Sequence, residues 1–220
     1  MRSWHWSTGF RTAMFDIEGL FLSVPAILFG LTIHEFSHGY AALILGDPTA
    51  REEGRLTLNP LKHLDPLGTL LLLLPWTRFG WAKPVPINPA NFRYPLRDLA
   101  IASLAGPLAN FFTAGAAGLI FRLLGVFGVG GFFLRLAGYF VVYNLILGFF
   151  NLMPIPPLDG SRLVYYLLPP ELAARYGQLE RLGFVSMILI FVFGLPVFRY
   201  LLLPLVWFTA RIFTGQGQWF

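Results

Sequence analysis

The sequence contains no cysteine, which excludes a disulfide framework, a thiol nucleophile and thiolate-held zinc together. Any metal must therefore be held by His, Asp or Glu. Charge is scarce as well: Asp, Glu, Lys and Arg make up only 12% of the residues, about half the share of an average soluble domain. The formal charge of +5 is scattered through short loops and forms no dense basic run, which argues against a nucleic-acid partner. Residues 1–18 lack the compact apolar stretch and small-residue cleavage site of a signal peptide, so the first span is expected to serve as the insertion signal. Low-complexity tracts, internal repeats and a soluble appendage are missing too.

What remains is apolar. Hydrophobic residues account for 56% of the 220 and the mean hydropathy is +0.65, values that belong to a bilayer protein. The expected fold is an all-α polytopic membrane protein of about four to six transmembrane helices with a re-entrant or extended membrane-associated loop. Gly19 to Gly46 is long enough for a first span, Asp98 to Leu124 for a second and Phe132 to Met153 for a third. Leu64 to Pro75 is too short to cross comfortably and reads as re-entrant or interfacial. Residues 80–95 carry Pro84, Pro86, Pro89 and Pro95, which exclude a regular helix and favour a loop or short hairpin against the membrane. Ala102 and Gly106, one turn apart in the second span, predict close helix packing. Leu182 to Phe213 is interrupted by Pro196, Arg199 and Pro204 and is expected as a broken helix or two short passes. The chain is expected to form one domain: an N-terminal segment 1–18, a catalytic core 19–160, and a loop with membrane helices 161–220.

Orientation follows from the loop cations. Segments 47–97 and 160–181 hold Arg51, Arg55, Lys62, Arg78, Lys83, Arg93, Arg97, Arg162, Arg175 and Arg181, against Arg2, Arg11, Arg122 and Arg135 opposite. The first group is expected to face the cytoplasm.

Within the first span, His34-Glu35-Phe36-Ser37-His38 matches HExxH. Its histidines are four residues apart, about 40° around a helix, so both can grip one ion. Zinc held by imidazole acidifies a water and polarises a carbonyl, and Glu35 is placed to shuttle the proton. Burying these groups in an apolar run is costly unless they are paired or liganded. A polar helix–helix contact is the plainer alternative. A third ligand must come from elsewhere. His5 and His63 fall in polar segments and read as surface residues. Asp159 stands at the end of the third span, on the side nearest the histidines if the spans alternate, where its depth can match theirs; the plainer reading there is a helix cap. From His38 to Gly46 is roughly 12 Å of helix, which puts the metal inside the bilayer near its cytoplasmic face. Two histidines and a carboxylate also suit iron, cobalt or manganese.

The segments HEFSHGYAALILGDPTAREEGRLTLNPLKHLDPLGTLL, GWAKPVPINP, SLAGPLAN and NLMPIPPLDG, in this order, resemble the motifs of the site-2 proteases, the intramembrane zinc metalloproteases. The resemblance implies one Zn2+ per chain on His34, His38 and Asp159, with Glu35 activating the water. It also implies hydrolysis of peptide bonds in or near transmembrane helices of single-span membrane proteins. Such a substrate must partly unwind, because helical backbone groups are mutually hydrogen-bonded. Asn151 and Asn110 match asparagines near the active site of similar proteins and are given supporting roles: donating to an oxyanion, holding an unwound strand, or bonding a loop carbonyl. The GWAKPVPINP segment resembles a loop that offers substrate an extended edge.

Without the preceding helix of some relatives, a PDZ-like domain or a CBS domain in this sequence, the expectation is a compact prokaryotic member of the plasma or inner membrane. Two other classes stand beside this reading. A transporter also uses broken helices and buried polar groups but needs no base beside its ligands; a catalytically silent relative would bind membrane helices without cutting them. Substrate identity and oligomeric state are left open.

Overall fold

The computed structural model describes residues 17–73, 81–179 and 198–215. Helix α1 spans Ile17–Ile44, the short α2 Thr49–Glu52, α3 Pro66–Leu73, α4 Pro95–Val126, α5 Phe132–Asn151, α6 Asp159–Leu167, α7 Pro170–Gly177 and α8 Leu203–Thr214, the last entered through a π turn at Phe198–Leu202. No strand occurs among the described residues; a single antiparallel bridge joins Leu64 to Ala82. The fold is all-α, as the composition predicts.

Three of these helices, Gly19–Ile44 within α1, α4 and α5, are long and apolar enough to cross a membrane. The boundaries differ from expectation by a few residues. The second span begins at Pro95 rather than Asp98 because proline is tolerated in the first helical turn, where its missing N–H would have no partner. Much of the expected last pass lies outside the described residues, with only its end seen as the π turn and α8. The short apolar run after Leu64 forms α3, eight residues, about 12 Å long and too short to cross.

Helices α1, α4 and α5 pack mutually, and α8 lies against α4 and α5. Lipid is as apolar as leucine, so packing in a bilayer depends on close approach rather than on hydrophobic exclusion from water. Small residues supply it. A Cβ on Gly118 would stand 2.7 Å from Phe213 Cβ, and one on Gly148 3.0 Å from the Phe111 ring. Ala114, Ala117, Val141, Val142, Leu145, Val206 and Ala210 form the core between α4, α5 and α8. Phe21, Phe112 and Phe133 point outward, as lipid-facing side chains do. At the far end, Arg122 donates to the carbonyls of Phe213, at 2.8 Å, and Ile212, tying the end of α4 to the last turn of α8.

One reading is corrected. His63 is not a surface residue: it is 2% exposed, its Nε2 lies 2.7 Å from the Thr57 carbonyl, and its own carbonyl accepts from the Lys83 N–H at 2.8 Å. Backbone contacts to Thr57 and Lys83 make it a structural anchor. His5 lies outside the described residues.

Candidate metal centre

His34 and His38 project from one face of α1, as their spacing requires. They meet α4 where Gly106 leaves room: a Cβ at that position would stand 2.4 Å from His38 Nε2 and 2.8 Å from His34 Cε1. Asp159 arrives from the other side as the first residue of α6. The turn that delivers it is equally tight, since a Cβ on Gly160 would approach the Leu152 carbonyl oxygen to 2.2 Å. The carboxylate thus reaches the histidines from 121 residues along the chain, and its N1 position gives it no side-chain cap of its own helix.

The donor set converges. His34 Nε2 and His38 Nε2 are 2.9 Å apart, and Asp159 Oδ2 lies 3.0 Å from the first and 3.2 Å from the second. These three side chains could hold a metal ion. Hydrogen bonding on the outer sides of the rings explains why. His38 Nδ1 is 2.8 Å from the Ala102 carbonyl oxygen, which can only accept, so Nδ1 carries the proton. His34 Nδ1 is 2.7 Å from Asn110 Oδ1, and donates to it. A neutral imidazole with its proton on Nδ1 has only a lone pair on Nε2. Two such lone pairs and a carboxylate oxygen therefore face one another, and Asp159 Oδ2 is buried with no hydrogen-bond partner. Three acceptors this close need a proton or a metal cation between them. Their separations approach the roughly 3.3 Å expected of ligands held about 2.05 Å from a tetrahedral ion, so the donor set fits one.

Glu35 turns to a different face of α1. It is 9% exposed, and its Oε2 accepts from the backbone N–H of Val85 at 2.8 Å. Val85 belongs to the proline-rich segment, which runs past the site as irregular extended chain and ends in a 3-10 turn at Pro89–Asn91. Pro84 and Pro86 remove N–H groups on either side of Val85, so the Val85 N–H is the donor this stretch brings to Glu35. Gly39 admits it, as a Cβ there would meet Val85 Cγ1 at 3.0 Å. Further anchors hold the segment down. Arg55 donates to the Lys83 carbonyl at 2.8 Å and the Pro84 carbonyl at 3.2 Å. Asp47, fully buried, accepts from the Asn88 N–H and the Asn91 amide, each at 2.7 Å, and from the N–H and hydroxyl of Thr49.

Asn110 lies beside His34. Its Nδ2 donates to the Gly30 carbonyl at 3.0 Å and to Asn144 Oδ1 at 2.9 Å, so both amide hydrogens are used. Asn151 is the last residue of α5, and its Nδ2 donates to Leu147 O of the same helix at 3.0 Å. Sequence reasoning passed over Asn144 and Val85. A lone amide inside an apolar span was a signal for the first; nothing in the sequence marks the second, whose contribution is a backbone N–H.

Membrane-length helices with two imidazoles and a carboxylate meeting among them define a membrane metalloprotein. The chain belongs to peptidase family M50, the site-2 proteases. The family's model matches residues 129–194, a stretch holding Asp159. The candidate zinc metalloprotease YwhC of Bacillus subtilis is 39% identical over 189 residues, covering 83% of this chain and 84% of that one. The candidate zinc metalloprotease Rip2 of Mycolicibacterium smegmatis is 32% identical, covering 79% and 68%, and Rip2 of Mycobacterium tuberculosis H37Rv is 29% identical, covering 84% and 73%. No solved structure matches the chain.

Proposed function

We propose that this chain is an intramembrane zinc endopeptidase that hydrolyses a peptide bond in or near the transmembrane helix of a single-span protein. The observation that carries the reading is the convergence of His34 Nε2, His38 Nε2 and Asp159 Oδ2, three acceptors within 3.2 Å of one another. These residues would hold the zinc. When bound there, zinc supplies Lewis-acid polarisation of a carbonyl and acidification of a water.

The remaining roles fall to the chain itself. Glu35, adjoining a ligand in sequence, takes the proton from the attacking water and returns it to the departing amine. Its carboxylate is oriented by the Val85 N–H, which binds one of the two oxygens. Asn110 holds His34 in place and Asn151 closes the last turn of α5, roles that suit positioning rather than direct oxyanion contact. The extended segment 81–88 lies where an unwound substrate strand could pair beside Glu35. The substrate comes from the bilayer; the likeness to compact prokaryotic members supports a plasma membrane of a prokaryote, and the loop cations, with the short stretch from His38 to Gly46, support a site nearer the cytoplasmic side.

The test is cleavage of single-span membrane proteins by purified chain in liposomes, comparing wild type with Glu35→Gln. Turnover is expected to fall about 10²- to 10⁴-fold while both proteins retain one zinc. Equal cleavage by the two would remove Glu35 from the mechanism, and transport without cleavage would replace the whole reading.

A further inference from the structure

Asn144 lies in the middle of α5, an apolar helix, and is fully buried. An isolated amide there is expensive unless every hydrogen bond is made. Its Nδ2 donates to the Phe140 carbonyl of its own helix at 2.9 Å. A carbonyl can only accept, so this contact fixes which end of the Asn144 side chain is nitrogen. The oxygen end then faces α4 and accepts from Asn110 Nδ2 at 2.9 Å. Asn110 Nδ2 also meets the Gly30 carbonyl of α1, so the Asn110 oxygen must turn to His34. There it accepts the Nδ1 proton, which leaves His34 Nε2 as the lone pair aimed at Asp159 and His38. Gly30 makes the approach possible: a Cβ on it would stand 2.9 Å from Asn144 Oδ1.

We infer that Asn144 is a positioning residue for the metal: together with the Gly30 carbonyl it holds Asn110 in the orientation that gives His34 its ligating tautomer, and ties that hold to a backbone carbonyl of α5. The inference rests on the zinc-site reading above. The chain of donors runs in one direction, from His34 to Asn110 to Asn144 to Phe140, and crosses α1, α4 and α5. His38 needs no such relay, because its Nδ1 proton goes directly to the Ala102 carbonyl. With Asn144 replaced by an apolar residue, one Asn110 hydrogen loses its acceptor inside the protein. The Gly30 carbonyl alone then orients the Asn110 amide, and the hold on His34 and its tautomer is weakened.

The experiment measures zinc affinity by competition with a chromophoric chelator for detergent-purified wild type, Asn144→Leu and Asn144→Asp. Leucine keeps the size and removes the relay; a protonated aspartic acid keeps an acceptor for Asn110 and a donor for Phe140. Outer partners of metal-bound histidines typically contribute about tenfold to a hundredfold in affinity. A loss of that size in Asn144→Leu, with affinity within about threefold of wild type in Asn144→Asp, is the expected result. Equal affinity for all three overturns the inference and leaves the zinc site standing, whereas a wild type that binds no zinc overturns the site itself. Nitrogen-15 NMR of the metal-free wild type tests the same point without any substitution. His34 is expected with its proton on Nδ1, and a proton found on Nε2 overturns the relay even if Asn144→Leu does not fold.

Discussion

A methyl group at position 106 would occupy the space that the two imidazoles fill, since it would fall 2.4 Å from His38 Nε2 and 2.8 Å from His34 Cε1. Gly106→Ala is therefore expected to spoil the metal centre while leaving the far half of α4 packed as before. Overpacking of this kind costs about 1–3 kcal/mol, and metal retained through purification should drop at least about tenfold; unchanged metal content would mean that the rings can move aside. At this scale the sequence was legible where chemistry is written locally. HExxH puts two candidate ligands on one helix face by period alone, and the depth of Asp159 at the end of a span allowed it as a third, a role that the resemblance of its motif implied. The hydrogen bonds that set the tautomers were not legible, because they join residues 76 and 34 positions apart, and nothing local records the pairing. The burial of His63 was not legible for a related reason: it stands in a largely polar segment, and it is tied to Lys83, 20 positions away.

Among the elements, the segment from Trp81 to Phe92 carries the most consequence. Its prolines announced an irregular chain, yet its rigidity comes from Asp47 and Arg55, far away in sequence. Burial alone would raise the Asp47 pKa. Hydrogen bonds from the Thr49 hydroxyl, the Asn91 amide and the backbone N–H groups of Asn88 and Thr49 outweigh it, so the carboxyl is held below its ordinary value. A lowered folded-state pKa means that the stabilisation is complete above the unfolded value of about 4 and is lost only as pH falls through the lower folded one. Amide exchange in residues 81–92 should thus stay slow, after correction for intrinsic rates, across the neutral and mildly acidic range. Asp47→Asn turns an N–H2 toward groups that already donate. Hydrogen bonds to a charged acceptor are worth about 1.5–3 kcal/mol, so exchange at Asn88 and its neighbours should quicken by roughly 30-fold at pH 7. No acceleration would show that Arg55 and His63 hold the segment unaided. Because Glu35 leans on Val85, the same variant should also lose turnover more than it loses zinc.

For the molecule as a whole, the three apolar spans and their order were legible from hydropathy, since a bilayer demands helices of a set length. The way they close on one another was not, because it depends on glycines at crossings that only the packing identifies. Those crossings bring three acceptors face to face from α1 and α6, so a metal cation held there would join the two helices. Stripping the metal with a chelator should therefore lower the midpoint of thermal unfolding, and the difference should grow with the logarithm of free zinc on reloading. A midpoint indifferent to metal would mean that the site relaxes without strain. If the dependence holds, metal supply sets how long each molecule lasts as well as how fast it works: copies made during zinc scarcity would be softer, easier prey for quality-control proteases, and cleared before they could cut anything.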